Sequence, residues 1–169
     1  MGPIFDHEYR EKIIASFETY REKTLDDLKR ILNFPFHPDT RLLMFELHGH
    51  HGDFGLHPWV MRDSYYHVDI DASGTPLYRT GFDQLALGFD AYARLDEVDR
   101  MSPDEVGDLD DLAVNYLCGW FADMLREANT DLPLVYAIRR HDHPGVYSVA
   151  EKQWFSDDEF ATRFEDDEE

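Results

Sequence analysis

The segment that decides the fold is residues 102–129, SPDEVGDLDDLAVNYLCGWFADMLREAN. Ser102 is a typical helix N-cap, Pro103 suits the first helical position, and Glu105 completes a capping box. Apolar residues then recur at helical spacing and form one wide face: Leu109, Leu112, Tyr116, Leu117, Trp120, Phe121, Met124 and Leu125. The segment therefore predicts a long central helix that packs against the rest of the protein.

A second long helix is predicted near the N-terminus, from about Asp6 to Leu32. Its apolar residues fall on one stripe, with charged residues opposite: Tyr9, Ile13, Phe17, Tyr20, Leu28 and Ile31. Asn33, Pro35 and Pro38 follow the stripe and are expected to end the helix.

Between these two helices the sequence predicts β-strands. Residues of Arg41–His48 alternate in polarity, and a glycine-bearing turn leads into Phe54–Met61, where Pro58 indicates an edge or broken strand. Further strands are expected at 64–71, 76–80, 134–139 and 146–149, with a less regular helical piece near 84–95. A second capping box, Ser156 to Glu159, predicts a short terminal helix.

This order predicts an α+β fold in one domain, residues 1–164, with an antiparallel β-sheet of about 4–6 strands. The long N-terminal helix and the long central helix are expected to pack with that sheet. Residues 165–169 form an acidic tail that we expect to be disordered.

Negative charge is concentrated in the second half of the chain. The formal net charge of −20 divides into −4 for residues 1–80 and −16 for residues 81–169. Such a field repels nucleic acid and anionic membranes and speeds the capture of basic partners. No signal peptide or membrane-spanning segment is visible, and the lone Cys118 excludes an intramolecular disulfide, so we expect a cytoplasmic protein.

Histidines crowd the turn LHGHHGDFGLH at residues 47–57, where neutral imidazoles and a carboxylate are plausible zinc ligands: His48, His50, His51, Asp53 and His57. The run resembles the His-x-His-x-Asp-His motif of the metallo-β-lactamase superfamily, but the aspartate comes one residue late and Phe54 replaces the last histidine. We interpret it as a polar hairpin turn and predict no metal, no cofactor and no catalytic residue. His141 and His143 form a second cluster, and whether the two clusters converge on a metal is left open.

The densest acidic run is residues 96–111, which hold eight carboxylates against the single Arg100. The N-terminus of a helix is stabilised by one or two negative charges, so eight exceed what the predicted helix requires. We therefore predict a partner-binding surface made of Asp96, Glu97, Asp99, Asp104, Glu105, Asp108, Asp110 and Asp111.

In size, acidity, α+β order and lack of a catalytic motif, the chain resembles the small acidic immunity proteins that bacteria make against toxins. This resemblance rests on no specific motif. It implies a non-enzymatic protein that occludes the cleft of a basic, nucleic-acid-directed toxin, without binding nucleic acid or membranes itself. The alternatives are a metal-dependent hydrolase using His48, His50 and Asp53, a nucleic-acid mimic, and an acidic structural subunit. The oligomeric state is not indicated.

Overall fold

A six-stranded mixed sheet forms the centre of the protein in this computed structural model, which describes residues 3–128 and 131–166. The strand order is β3-β2-β1-β4-β5-β6. The strands are β1 (Leu42–His50), β2 (Asp53–Met61), β3 (Leu87–Asp90), β4 (Val135–Arg140), β5 (Val146–Ser148) and β6 (Gln153–Phe155). The expected purely antiparallel sheet is wrong at one place, because β1 and β4 pair in parallel. All the other neighbouring strands are antiparallel.

Helices cover both faces of this sheet. They are α1 (Pro3–Glu18), α2 (Arg21–Leu32), α3 (Leu77–Thr80), α4 (Pro103–Glu127) and α5 (Asp157–Asp166). One face packs against α1, α2 and α4, where Phe17, Leu28 and Phe121 join Phe45 in the main hydrophobic core. The other face carries a smaller apolar cluster in which Phe160 and Phe164 of α5 contact Leu42 and Met44. The α+β class is thus confirmed.

The predicted long N-terminal helix is wrong, because the chain forms two helices with a break at Thr19–Tyr20. The amides of these residues bond to the carbonyls of Ser16 and Phe17, three residues back, and so tighten the last turn of α1. The Thr19 hydroxyl also donates to the Ser16 carbonyl at 2.6 Å. The apolar stripe continues through the break, so its periodicity does not reveal the break.

The predictions for short elements are only partly correct. The predicted strand at 76–80 is helix α3, the helical piece near 84–95 contains strand β3, and Ser64–Asp71 forms only isolated bridges. By contrast, both capping boxes are confirmed: the Glu105 amide donates to Ser102 Oγ at 3.3 Å, and the Glu159 amide donates to Ser156 Oγ at 3.2 Å.

The C-terminal segment is described as far as Asp166, where α5 ends, so Glu165 and Asp166 of the predicted tail lie in a helix. The rest of that tail, residues 167–169, lies outside the described residues. Among the helices in the described ranges, none is both long enough and apolar enough to cross a bilayer.

Candidate functional site

Asp110, one of the predicted partner-binding residues, is buried, with 5% of its surface exposed. Its carboxylate accepts the amides of His51 at 2.9 Å and Gly52 at 3.2 Å, and it also accepts the Tyr92 hydroxyl. Burial, followed by the hydrogen bond to Asp110, raises the pKa of Tyr92. Asp110 therefore fastens α4 to the β1–β2 turn and is not available to a partner.

Three other predicted carboxylates already have partners within the protein. Asp111 pairs with Arg140 at 2.7 Å, Glu105 accepts the Ser102 amide at 2.8 Å, and Glu97 accepts the Tyr9 hydroxyl at 2.8 Å. These groups remain exposed, so each contributes charge to the surface as well as a local contact.

The remaining four predicted carboxylates are exposed and have neither a hydrogen bond nor an ion pair within the described ranges: Asp96, Asp99, Asp104 and Asp108. Asp104 and Asp108 are four residues apart on α4 and so lie on the same side of that helix. Asp96 and Asp99 lie in the segment that leads into α4, where Val98–Arg100 forms one 3-10 turn.

The side chain of Tyr9 on α1 lies near three acidic residues, Glu8, Glu97 and Glu105. Its hydrogen bond to Glu97 is the largest cause raising the pKa of Tyr9 to about 12, and burial adds to it. The negative charges of Glu97, Glu8 and Glu105 raise it further. The pKa of neighbouring Lys12 is raised by its hydrogen bond to Glu8 and, against some desolvation, by the charges of Glu8, Glu97 and Asp96.

We call this region the acidic surface. It comprises Glu8, Asp96, Glu97 and Glu105, whose charges act on Tyr9 or Lys12, together with Asp99, Asp104 and Asp108, which are their neighbours in residues 96–108. Lys12 pairs with Glu8 at 3.0 Å, and the exposed Arg100 follows Asp99 in the chain.

The histidine-rich turn between β1 and β2 is a two-residue hairpin. His50 pairs with Asp53, and the two residues between them, His51 and Gly52, have φ angles of 53° and 81°. Positive φ at both central positions is the type I′ geometry that matches the twist of a hairpin. The predicted polar hairpin is therefore correct, with the His50 and His51 rings edge to face at 4.8 Å between centroids.

A different set of histidines converges on the opposite face of the sheet from α4. Glu46 Oε2 lies 3.1 Å from His48 Nε2, and Glu46 Oε1 lies 2.9 Å from His141 Nδ1. The His48 and His141 rings are 4.5 Å apart between centroids. We call these three residues the Glu–His cluster. Within residues 3–128 and 131–166, it is the one group of three metal-ligating side chains whose donor atoms lie within 4.8 Å of one another.

Strand pairing explains why these residues meet. Glu46 and His48 alternate onto the same face of β1, and the parallel pairing of β1 with β4 places Leu47 beside Arg140. The next residue, His141, donates its amide to the Leu47 carbonyl at 2.8 Å, which holds it beside His48. The set His48, His50 and Asp53, which the alternative of a metal-dependent hydrolase requires, does not form among the described residues, and His143 is exposed outside the cluster.

Hydrogen bonds within the Glu–His cluster shift the pKa values of Glu46 and His141 in opposite directions. Burial tends to raise the pKa of Glu46, but hydrogen bonds from His141, Trp59 and His48 outweigh it and lower that pKa. The bond to Glu46 in turn raises the pKa of His141. A pocket of about 310 Å³ adjoins Glu46 and is also lined by Trp59, Tyr65 and Arg139.

Cys118 is buried in α4, and burial raises its pKa to about 12. A thiol with so high a pKa is protonated at neutral pH and is a poor nucleophile.

Comparison of the chain with protein-family models, curated proteins and solved structures finds no match. The fold, the acidic surface and the Glu–His cluster are therefore the basis for a functional proposal.

Proposed function

We propose that this chain is a non-enzymatic acidic protein that binds and neutralises a basic protein partner in the cytoplasm, in the manner of a bacterial immunity protein. The partner class is a toxin that acts on nucleic acid. Enzymes of that class bind phosphates through clefts lined with Lys and Arg, and such a cleft is complementary to a dense set of carboxylates.

The observation that carries this function is the set of exposed carboxylates without an internal partner: Asp96, Asp99, Asp104 and Asp108. They adjoin Glu97 and Glu105, whose charges also act on Tyr9. Holding so many like charges on one surface is unfavourable for the isolated protein, and a cationic partner would relieve that repulsion.

The acidic surface provides both the long-range field and the short-range contacts that electrostatically steered binding to a basic partner requires. The long-range field of the carboxylates raises the rate of encounter, and shorter contacts determine how long the complex lasts. Tyr9, which is only partly buried, is the aromatic side chain within this surface. The exposed Tyr65 and Trp59 lie instead on the other side of the sheet, so they are not part of this interface.

The experiment is capture of partners from a native lysate at low salt, identification of the bound protein, and measurement of its association rate. The test variant neutralises the four unpaired carboxylates as D96N, D99N, D104N and D108N. We expect it to slow association at least about tenfold, which is the lower end of electrostatic steering. Added salt is expected to slow the wild type in the same way, because the screening length is about 10 Å at 0.1 M.

A matched control removes the same number of charges from exposed carboxylates elsewhere on the protein: D26N, D53N, D69N and D83N. This variant should keep most of the association rate, since net charge alone does not form the docking surface. Equal slowing by both variants would refute the assignment of the interface. A captured protein that is not basic, or whose binding is indifferent to salt, would refute the function.

The nucleic-acid mimic remains the second candidate because it uses the same carboxylates. The two differ in what they displace: a mimic would compete with duplex DNA or RNA for many unrelated basic proteins. A toxin inhibitor would bind one toxin and would restore the growth of cells that produce that toxin.

A further inference from the structure

The geometry points to a zinc-binding site at Glu46, His48 and His141, on the face of the sheet opposite to the acidic surface. Two imidazoles and one carboxylate are ligands that Zn²⁺ prefers, and three protein ligands leave a fourth position for water or another small ligand. Neither the acidic surface nor its proposed partner involves this site. The site is also different from the set His48, His50 and Asp53 considered as an alternative at the β1–β2 turn.

The donor atoms are close to the separation that zinc requires. With metal–ligand bonds of about 2.0–2.2 Å, tetrahedral ligands lie roughly 3.4 Å apart. In the structure Glu46 Oε2 is 3.1 Å from His48 Nε2 and Glu46 Oε1 is 2.9 Å from His141 Nδ1, and one donor atom from each of the three residues lies within 4.8 Å of the others. Small rotations of the imidazoles would complete the geometry, and the surroundings leave room for them because 43% of the His48 side chain and 51% of the His141 side chain are exposed.

The backbone holds the three ligands without a long loop. Glu46 and His48 are two residues apart on β1, and the amide of His141 is bonded to the Leu47 carbonyl between them. Glu46 and His48 lie on a strand and His141 directly follows β4, and ligands held by paired strands are positioned more firmly than ligands on long loops.

Outer contacts also resemble those of a metal site. His141 Nε2, the nitrogen that faces away from Glu46, lies 3.4 Å from Asp142 Oδ1, and Trp59 Nε1 donates to Glu46 Oε2 at 2.9 Å. A carboxylate on the second nitrogen of a ligating histidine fixes its tautomer and orientation, and a donor to the ligating carboxylate fixes the carboxylate.

One nearby cation opposes metal binding. Arg139 is paired in register with Glu46 on β4, but its guanidinium is directed to Asp157 of α5 at 3.4 Å. This ion pair with Asp157 offsets the charge of Arg139, and Asp142 beside His141 adds a second negative charge to that of Glu46, which favours a divalent cation.

The test is calorimetric titration of the full chain with ZnCl₂ after removal of metals by a chelator, supported by the visible absorption spectrum with Co²⁺. We expect one zinc per chain with a dissociation constant in the micromolar range or tighter, and a Co²⁺ spectrum of low coordination number. His48→Ala and His141→Ala should each weaken binding more than about 100-fold, since loss of an outer-shell partner alone costs about 10–100-fold.

The matched controls are His50→Ala, two residues along β1, and His143→Ala, two residues after His141. Both should bind zinc like the wild type, as should the variant D96N, D99N, D104N and D108N. Circular dichroism verifies that each variant is folded, which is expected because the substituted histidines are exposed or half-buried.

The zinc site would be overturned by several results. One is a folded wild type that takes up no zinc at micromolar concentration. Another is equal, partial weakening by all four histidine variants, which would indicate diffuse binding by the nine histidines of the chain. Loss of zinc binding in His50→Ala with retention in His141→Ala would move the site to the β1–β2 turn.

Discussion

The buried carboxylate of Asp110 holds the β1–β2 turn against helix α4. Its carboxylate satisfies two backbone amides of the β1–β2 turn and the buried Tyr92 hydroxyl. Asp110→Ala would leave these donors without an acceptor, and a buried unsatisfied group costs about 1–3 kcal/mol. We expect a loss of about 3 kcal/mol in the free energy of unfolding, measured by urea denaturation.

Asp108→Ala is the matched control for this change, because Asp108 is exposed on the same helix. It should alter the free energy of unfolding by no more than about 0.5 kcal/mol, as is usual for surface positions. Similar stabilities for the two variants would show that the contacts of Asp110 contribute little to folding.

Gly52 is required by both its backbone and its surroundings. Its φ is 81°, and a Cβ placed there would lie 2.3 Å from Tyr92 Cδ2. Gly74 has nearly the same φ, 82°, but a Cβ there meets nothing within 4 Å. Gly74→Ala should therefore cost only the left-handed strain of about 1–2 kcal/mol, whereas Gly52→Ala should cost about 1–3 kcal/mol more. Thermal denaturation of the two variants measures the difference, and equal losses would contradict the steric argument.

At the scale of elements, both helix caps depend on ionised glutamates. The hydrogen bonds from Ser102 lower the pKa of Glu105, and those from Ser156 lower the pKa of Glu159. A group whose pKa falls on folding stabilises the protein above its unfolded pKa and loses that contribution as the pH falls through its folded pKa. We expect the stability that these carboxylates supply to be present at pH 7, to decline as the pH falls below about 4.5, and to be lost below their lowered folded pKa values.

The measurement is the melting temperature of the wild type and of the double variant E105Q and E159Q between pH 7 and pH 3. The wild type should be the more stable at neutral pH, and the gap should close as the pH falls. Glutamine keeps the shape and can accept the same hydrogen bonds, so the difference reports the charge. A gap independent of pH would mean that these carboxylates have the same pKa in the folded and unfolded states.

Long elements with clear capping residues and a periodic apolar face could be predicted from the sequence, whereas short strands could not. The helix beginning at Ser102 has an N-cap, an N1 proline and a wide apolar face, and all three features appear in α4. Strands β3 and β6 have only four and three residues, too few for a periodic pattern to be distinct. The break at Thr19–Tyr20 depends on local hydrogen bonds, which the apolar stripe does not report.

At the scale of the whole molecule, the Glu–His cluster shows what a single sequence does not contain. The alternation in β1 places Glu46 and His48 on one face, so two of the three cluster residues can be paired from the sequence. The position of the third, His141, depends on the parallel pairing of β1 with β4, across more than eighty residues of chain. The signal that was available is α4 itself, because parallel strands require a long crossover that usually contains a helix.

The net charge of −20 has a consequence for the stability of the molecule as a whole. Like charges held close together in the folded state repel one another more than they do in the expanded unfolded chain. Raising NaCl from about 10 mM to about 1 M shortens the screening length from about 30 Å to about 3 Å. We therefore expect the melting temperature of the wild type to rise with NaCl.

The variant D96N, D99N, D104N and D108N should have a higher melting temperature than the wild type at low salt, and added salt should raise its melting temperature less. The control D26N, D53N, D69N and D83N should show a smaller increase in melting temperature at low salt, because its carboxylates are spread along the chain. A wild-type melting temperature that falls with NaCl would show that its ion pairs, such as Asp111 with Arg140, outweigh the repulsion within the acidic surface.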